Sequence, residues 1–157
     1  MRKGENMENI GKLNAAIYRN LQSILNAKLG GISIQSGQYD FFYVISLNEG
    51  ITQKELCEWL YIGKSTTAKV VKSLVGHGYI SKEKDKLDKR FDRLYLTDKG
   101  RKIADRINET FVEIVEITTK GLTEQEIMQT IELLRKILKN VAEEKNKKNT
   151  NLDVTTE

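Results

Sequence analysis

At 157 residues the chain has the length of one domain and can bury a core unaided. It holds no proline and a single cysteine, which permits long uninterrupted helices, excludes an intrachain disulfide and points to a reducing cytoplasm. Charged residues make up 31% and hydrophobic ones 39%; the longest apolar runs, such as Phe41 to Ile45, are too short to span a bilayer, and MRKGENMENIGK lacks the apolar stretch of a signal peptide, so no membrane partner is expected.

Residues 8 to 29 are predicted as a helix, because Ile10, Leu13, Ile17, Leu21, Ile24 and Leu25 recur at three- and four-residue steps before Gly30-Gly31. A second helix is expected from Ser36 to Asn48, apolar through Tyr39, Phe42, Tyr43, Ile45 and Leu47 and ended by Gly50. Thr52-Gln53-Lys54-Glu55 has capping-box spacing and opens a short helix through Trp59. Gly63 then offers a cap for a helix from Lys64 to about His77, broken by Gly76-His77-Gly78.

Tyr79 to Lys84 reads as a strand, Asp85 to Asp92 as a charged hairpin, and Arg93 to Leu96 as the returning strand. Thr97 is placed to cap a helix from Asp98 to about Thr119, with Ile103, Ile107, Phe111 and Ile114 on one face, and Gly121 ends it. Thr123-Glu124-Gln125-Glu126 is another capping box, opening a last helix that carries Ile127, Ile131, Leu134, Leu138 and Val141. The tail from Glu143 has few apolar residues and is expected to be disordered. The fold class expected is therefore mainly α with a small β-hairpin. The apolar stripes of the first helix and the two long last ones would stay exposed in a monomer, and a symmetric dimer would bury them.

The pair of helices from Thr52 to Leu60 and from Lys64 to His77 has helix–turn–helix proportions, in which the second helix enters the major groove N-terminus first. That end reads Lys64, Ser65, Thr66, Thr67, Ala68, Lys69, with Lys72 one turn on; hydroxyls and free first-turn N–H groups suit bases and phosphates. Gln53 and Lys54, opening the preceding helix, join the candidate DNA contacts, while Val70, Val71, Leu74 and Val75 are assigned to packing. Charge agrees: between Lys64 and Lys102 twelve basic residues stand against five acidic ones, a local +7 in a chain of net +4. The hairpin Lys86, Leu87, Asp88, Lys89, Arg90 is too polar for core and follows the recognition helix directly, as a wing would. Arg90 at its tip suits the minor groove, and Asp88, two residues earlier, can orient the guanidinium.

In these residues the chain resembles the MarR family, the multiple-antibiotic-resistance type of regulator. The family pattern of Asp, any residue, Arg, five residues, Leu-Thr, two residues and Gly appears as Asp88, Arg90, Leu96, Thr97 and Gly100, and TQKELCEWLYIGKSTTAKVVKSLVGHGYI is similar to the family's helix–turn–helix. Leu87 departs from it, since arginine is frequent there, with Lys86 or Lys89 as substitutes; Gly63 stands where serine is common. The resemblance implies a winged helix–turn–helix homodimer on a pseudo-palindromic double-stranded DNA site, a repressor released by a small aromatic or lipophilic acid. It implies a dimerisation helix over 1–35, a DNA-binding lobe over 36–100, dimerisation helices over 101–144 and a disordered tail over 145–157. Tyr18, Arg19, Tyr39 and Phe42 are the candidate effector contacts. A winged-helix protein-interaction module and a transcriptional activator are the alternatives.

Cys57, inside the first helix of the pair, is read as a packed, inert thiol, and His77, the single histidine, as a helix C-terminal residue favoured by the helix dipole. No zinc site, cofactor or catalytic constellation is expected.

Overall fold

The computed structural model describes residues 9–153. They run α1 (Ile10–Lys28), α2 (Tyr39–Leu47), β1 (Ile51–Thr52), α3 (Gln53–Leu60), α4 (Lys64–Gly76), β2 (Ile80–Lys84), β3 (Asp92–Leu96), α5 (Asp98–Thr119) and α6 (Glu124–Asp153). The chain forms two compact units, Met1–Ile114 and Val115–Glu157.

In the first unit, Asn9 caps α1 by accepting from the Lys12 N–H at 2.9 Å. α2 begins three residues later than the sequence pattern suggests, because Gly37 turns the chain at φ +81° just before it. The capping box of α3 forms in full: Thr52 Oγ1 accepts from Glu55 N–H, and Glu55 Oε2 accepts from Thr52 N–H at 2.8 Å. Such a cap contributes about 1 kcal/mol. One element escaped the sequence pattern. β1, only two residues long, pairs antiparallel with β3 (Ile51 opposite Leu94), giving a three-stranded sheet of order β1-β3-β2. A two-residue strand has no alternation to detect; the left-handed Gly50 that turns into it, at φ +90°, donates its N–H to Leu94 O at 2.7 Å.

The core of this unit gathers Leu25 and Leu29, Phe41, Phe42 and Ile45 from α2, Leu56 from α3, Val70, Val71 and Leu74 from α4, Ile80, Leu94 and Leu96 from the sheet, and Ala104 and Ile107 from α5. Each helix of the helix–turn–helix is thus nailed down by its inner face, leaving its outer face free. Val75, assigned to packing by the sequence, is exposed instead. The start of α5 docks where the recognition helix gives way to the sheet. Thr97 N–H donates to Tyr79 O at 3.1 Å, Thr97 Oγ1 donates to Gly78 O at 2.5 Å, and the same hydroxyl accepts from Gly100 N–H at 3.0 Å.

The second unit is the end of α5 and all of α6. Gly121 turns between them at φ +81°, and Thr123 and Glu126 close the expected capping box. Ile131, Leu134, Leu138 and Val141 on α6, and Val115 and Ile117 at the end of α5, are exposed. The tail expectation needs correction: α6 continues to Asp153 instead of fraying from Glu143. The segment has no Gly or Pro to stop it, and Lys139–Glu143 and Lys147–Glu144, both 3.9 Å, bridge successive turns. The last four residues of the expected tail lie outside the described residues. Among those described, no helix is long and apolar enough to cross a membrane.

Candidate nucleic-acid interface

The recognition helix α4 sorts its residues by face. Lys64, Ser65, Thr66, Ala68, Lys69 and Lys72 are exposed, while Val70, Val71 and Leu74 are buried. Its cap residue Gly63 offers no side chain, so the first-turn N–H groups are left open towards solvent and anions. In the preceding helix Lys54 is exposed, 4.0 Å from Glu58, and Gln53 is half-buried.

Thr67 does not join them. It is 0% exposed, its Oγ1 donating to Gly63 O at 3.2 Å and accepting from Cys57 Sγ at 3.2 Å. One hundred degrees per residue carries the position after Thr66 onto the inner face, so the hydroxyl holds α3 to α4 and is not available to DNA. Cys57, half-buried, serves in that same link.

The wing loop joins β2 to β3, and its order comes from Asp85. Oδ1 of Asp85 accepts from the N–H groups of Leu87 (2.7 Å) and Asp88 (2.9 Å), and Oδ2 accepts from Arg93 Nε. These donors hold its carboxyl down at about 2, from the ordinary 3.8. Arg93 also donates from Nη1 to Gly50 O at 2.7 Å, tying the wing to the entry of β1. Neither residue was singled out by sequence, although an aspartate opening a polar loop carries the signal of a side chain that accepts from the N–H groups two and three residues on. Lys84 and Asp92, paired across the strands, form an ion pair at 2.8 Å.

At the tip, the expected pairing of Asp88 with Arg90 forms as a fork: Nε lies 3.0 Å from Oδ1 and Nη2 lies 2.7 Å from Oδ2. The Asp88 carboxyl is held below the usual range, first by that side-chain bond and then by the Arg90 N–H. Lys86, Lys89 and Arg90 stand exposed around the tip. His77 is the C-cap of α4, its Nδ1 2.8 Å from Ser73 O, and Lys99 covers its carbonyl at 2.7 Å.

The four candidate effector residues divide between the core and the surface. Tyr39 (4% exposed) and Phe42 (0%) belong to the core; the hydroxyl of Tyr39 donates to Leu29 O at 3.5 Å, burial pushes its pKa up, and Phe42 meets the ring of Tyr79 edge-on. Tyr18 and Arg19 are exposed on α1. The three-residue spacing of Tyr39 and Phe42 is that of a buried helix face. Among the described residues no group of three or more His, Cys, Asp or Glu could hold a metal ion.

The sequence profile of the MarR family matches residues 31–90, the span from the α1–α2 turn to Arg90 of the wing. A MarR protein from Peptoclostridium difficile superposes with a TM-score of 0.75 at 33% identity, over 92% of this chain and 94% of that one. The chain belongs to the MarR family. As a member of it, it is a transcriptional regulator. It is 30% identical over 125 residues (80% of this chain, 83% of the relative) to the uncharacterized HTH-type transcriptional regulator YybA of Bacillus subtilis strain 168. A MarR-family regulator from Listeria monocytogenes, solved in complex with a 26mer DNA, is 30% identical with a TM-score of 0.75, over 88% of this chain and 92% of that one. The family's Leu-Thr-x-x-Gly acquires a physical meaning in this member: it is the docking of Leu96, Thr97 and Gly100 onto the backbone that leaves the recognition helix.

Proposed function

We propose that this MarR-family regulator is a cytoplasmic homodimer that binds double-stranded DNA at a pseudo-palindromic operator and represses transcription from it. The observation that carries the reading is the joint presentation, on one folded unit, of the exposed hydroxyl and lysine face of α4 and the cationic wing tip around Arg90. The first suits the major groove and the second the adjacent minor groove or its phosphates. The related Listeria regulator in complex with DNA supports it.

The dimer draws support from apolar side chains that the chain leaves in water: Ile10, Leu13 and Ile17 along one stripe of α1, and Ile131, Leu134 and Leu138 along α6. Two copies related by a twofold axis would cover such stripes and set two recognition helices one helical turn of DNA apart. Release by a small aromatic or lipophilic ligand is carried over from the family; of the four residues considered for it, Tyr18 and Arg19 remain accessible.

The test is fluorescence anisotropy of the purified protein against duplexes flanking its own gene, with sedimentation to count protomers and a promoter–reporter fusion to fix the sign. Saturable binding of two protomers per duplex and derepression on deletion are the expected results. No affinity for any duplex at about 50 mM salt, where phosphate contacts are strong, would instead favour a protein-interaction module. The exposed aromatics Trp59 and Tyr61 at the end of α3 are the feature that reading would use.

A further inference from the structure

We propose that Leu87 reads DNA sequence: the wing presses its isobutyl group onto the floor of the minor groove, where it selects A·T over G·C pairs. This rests on the DNA-binding reading above and gives a role to a side chain which that reading leaves unused.

Leu87 is 99% exposed. A leucine in that position contributes nothing to the fold, and covering it would stabilise whatever complex covers it. The backbone beneath it is nonetheless fixed. Its own N–H is held by Asp85 Oδ1 at 2.7 Å, Asp85 is anchored by Arg93, and the loop is closed by Asp85 N–H on Phe91 O (3.0 Å) and Phe91 N–H on Asp88 O (3.1 Å). A rigid turn therefore presents an uncovered apolar group, with little ordering entropy left to lose on contact.

The surroundings identify what covers it. Lys86, Lys89 and Arg90 flank Leu87, and the neighbouring acid, Asp88, is occupied by the Arg90 fork. An anionic lipid surface would also suit a leucine set among cations, but the same folded unit presents the exposed lysine and hydroxyl face of α4, and a duplex is the polyanion that meets both features. Within a duplex, the minor groove offers apolar sugar walls and a floor that differs between pairs. A·T presents two acceptors and the C2–H edge of adenine, whereas G·C adds the guanine N2 amino group. Leucine has no acceptor for that amino group, so pressing on a G·C pair strips a donor of water without replacing the bond.

Duplexes are selected from a random pool with the wild-type protein and then titrated by anisotropy in three forms. The flanking pairs of each half-site carry A·T, G·C or inosine·C, the last lacking the N2 amino group while keeping the major-groove face of guanine. The wild type is expected to bind the G·C form about tenfold more weakly than the A·T form and to recover to within about twofold on inosine·C. Leu87→Ala is expected to bind all three within about twofold of one another, with an unchanged melting temperature because the side chain packs on nothing. An unaltered G·C penalty in Leu87→Ala, or a penalty that inosine does not relieve, overturns the assignment while DNA binding stands. A selection that enriches no duplex overturns the DNA reading and this one with it.

Discussion

A β-carbon placed on Gly100 would lie 2.1 Å from the carbonyl oxygen of Tyr79. The first turn of α5 rests directly on the backbone that follows the recognition helix, and Thr97, three residues earlier, bonds to that same Tyr79 carbonyl and to the carbonyl of Gly78. The obstacle is backbone, not a side chain that can swing away. Gly100→Ala is therefore expected to destabilise by about 1–3 kcal/mol, read from urea denaturation. A change below about 0.5 kcal/mol would mean that α5 lifts freely from the sheet.

The fork between Asp88 and Arg90 leads to an expectation opposite to simple charge counting. Removing Asp88 raises the positive charge of the wing and by attraction alone would tighten binding to DNA. If the carboxylate instead holds the guanidinium in its working orientation, Asp88→Ala weakens binding. Arg90→Ala should weaken it further, by about 1–3 kcal/mol. Anisotropy titration of both variants decides the point: tighter binding by Asp88→Ala would show that the fork restrains Arg90 without serving it.

Lys69 stands on the exposed face of α4 and is expected to meet a phosphate. Lys69→Ala should then lower the slope of log affinity against log salt by about one, with the sequence preference unchanged. An unchanged slope with altered preference would move Lys69 from the backbone to a base edge.

What could be read in the sequence was what local chemistry decides. Thr52 and Thr123 cap helices because threonine followed by glutamate three residues later bonds reciprocally in any fold, and both boxes form. The wing was legible because Asp85 to Asp92 is too charged to bury. What escaped depends on partners distant in sequence. Thr67 looks like one more hydroxyl on the recognition helix until Cys57, ten residues back, is seen to meet it. β1 exists only because Leu94 accepts from Gly50 and faces Ile51. Arg93 looks like another wing cation until Gly50 O and Asp85 claim its nitrogens.

The Cys57–Thr67 bond gives a double-mutant cycle. Thr67→Val keeps the shape but removes the hydroxyl from a buried position, and is expected to cost about 0.5–1.5 kcal/mol with no loss of DNA affinity. Cys57→Ala on that background should cost less than Cys57→Ala alone, because the thiol's partner has already gone. If Thr67→Val instead lowered affinity while leaving stability intact, the hydroxyl would have to be reaching DNA after all.

Asp85 makes the wing sensitive to acid. Its carboxyl ionises at about 2 in the folded chain against 3.8 ordinarily, chiefly through the Asp88 N–H, then Arg93 and the Leu87 N–H. A depressed acid favours the folded state while it is ionised, so its contribution is complete above about pH 4 and disappears as pH falls through about 2. Asp88, Asp92, Glu49 and Glu55 are depressed in the same direction, so the wild type as a whole loses stability on acidification. Comparison with Asp85→Asn isolates one residue, since the other acids are common to both proteins. The variant should be less stable at neutral pH, and the gap should narrow between pH 4 and 2 as the wild type loses what the variant never had. Urea denaturation at a series of pH values, with amide exchange of Leu87 and Asp88 to follow the wing itself, measures it. Parallel stability curves across that window would mean that the N–H groups and Arg93 do not hold Asp85 ionised in solution.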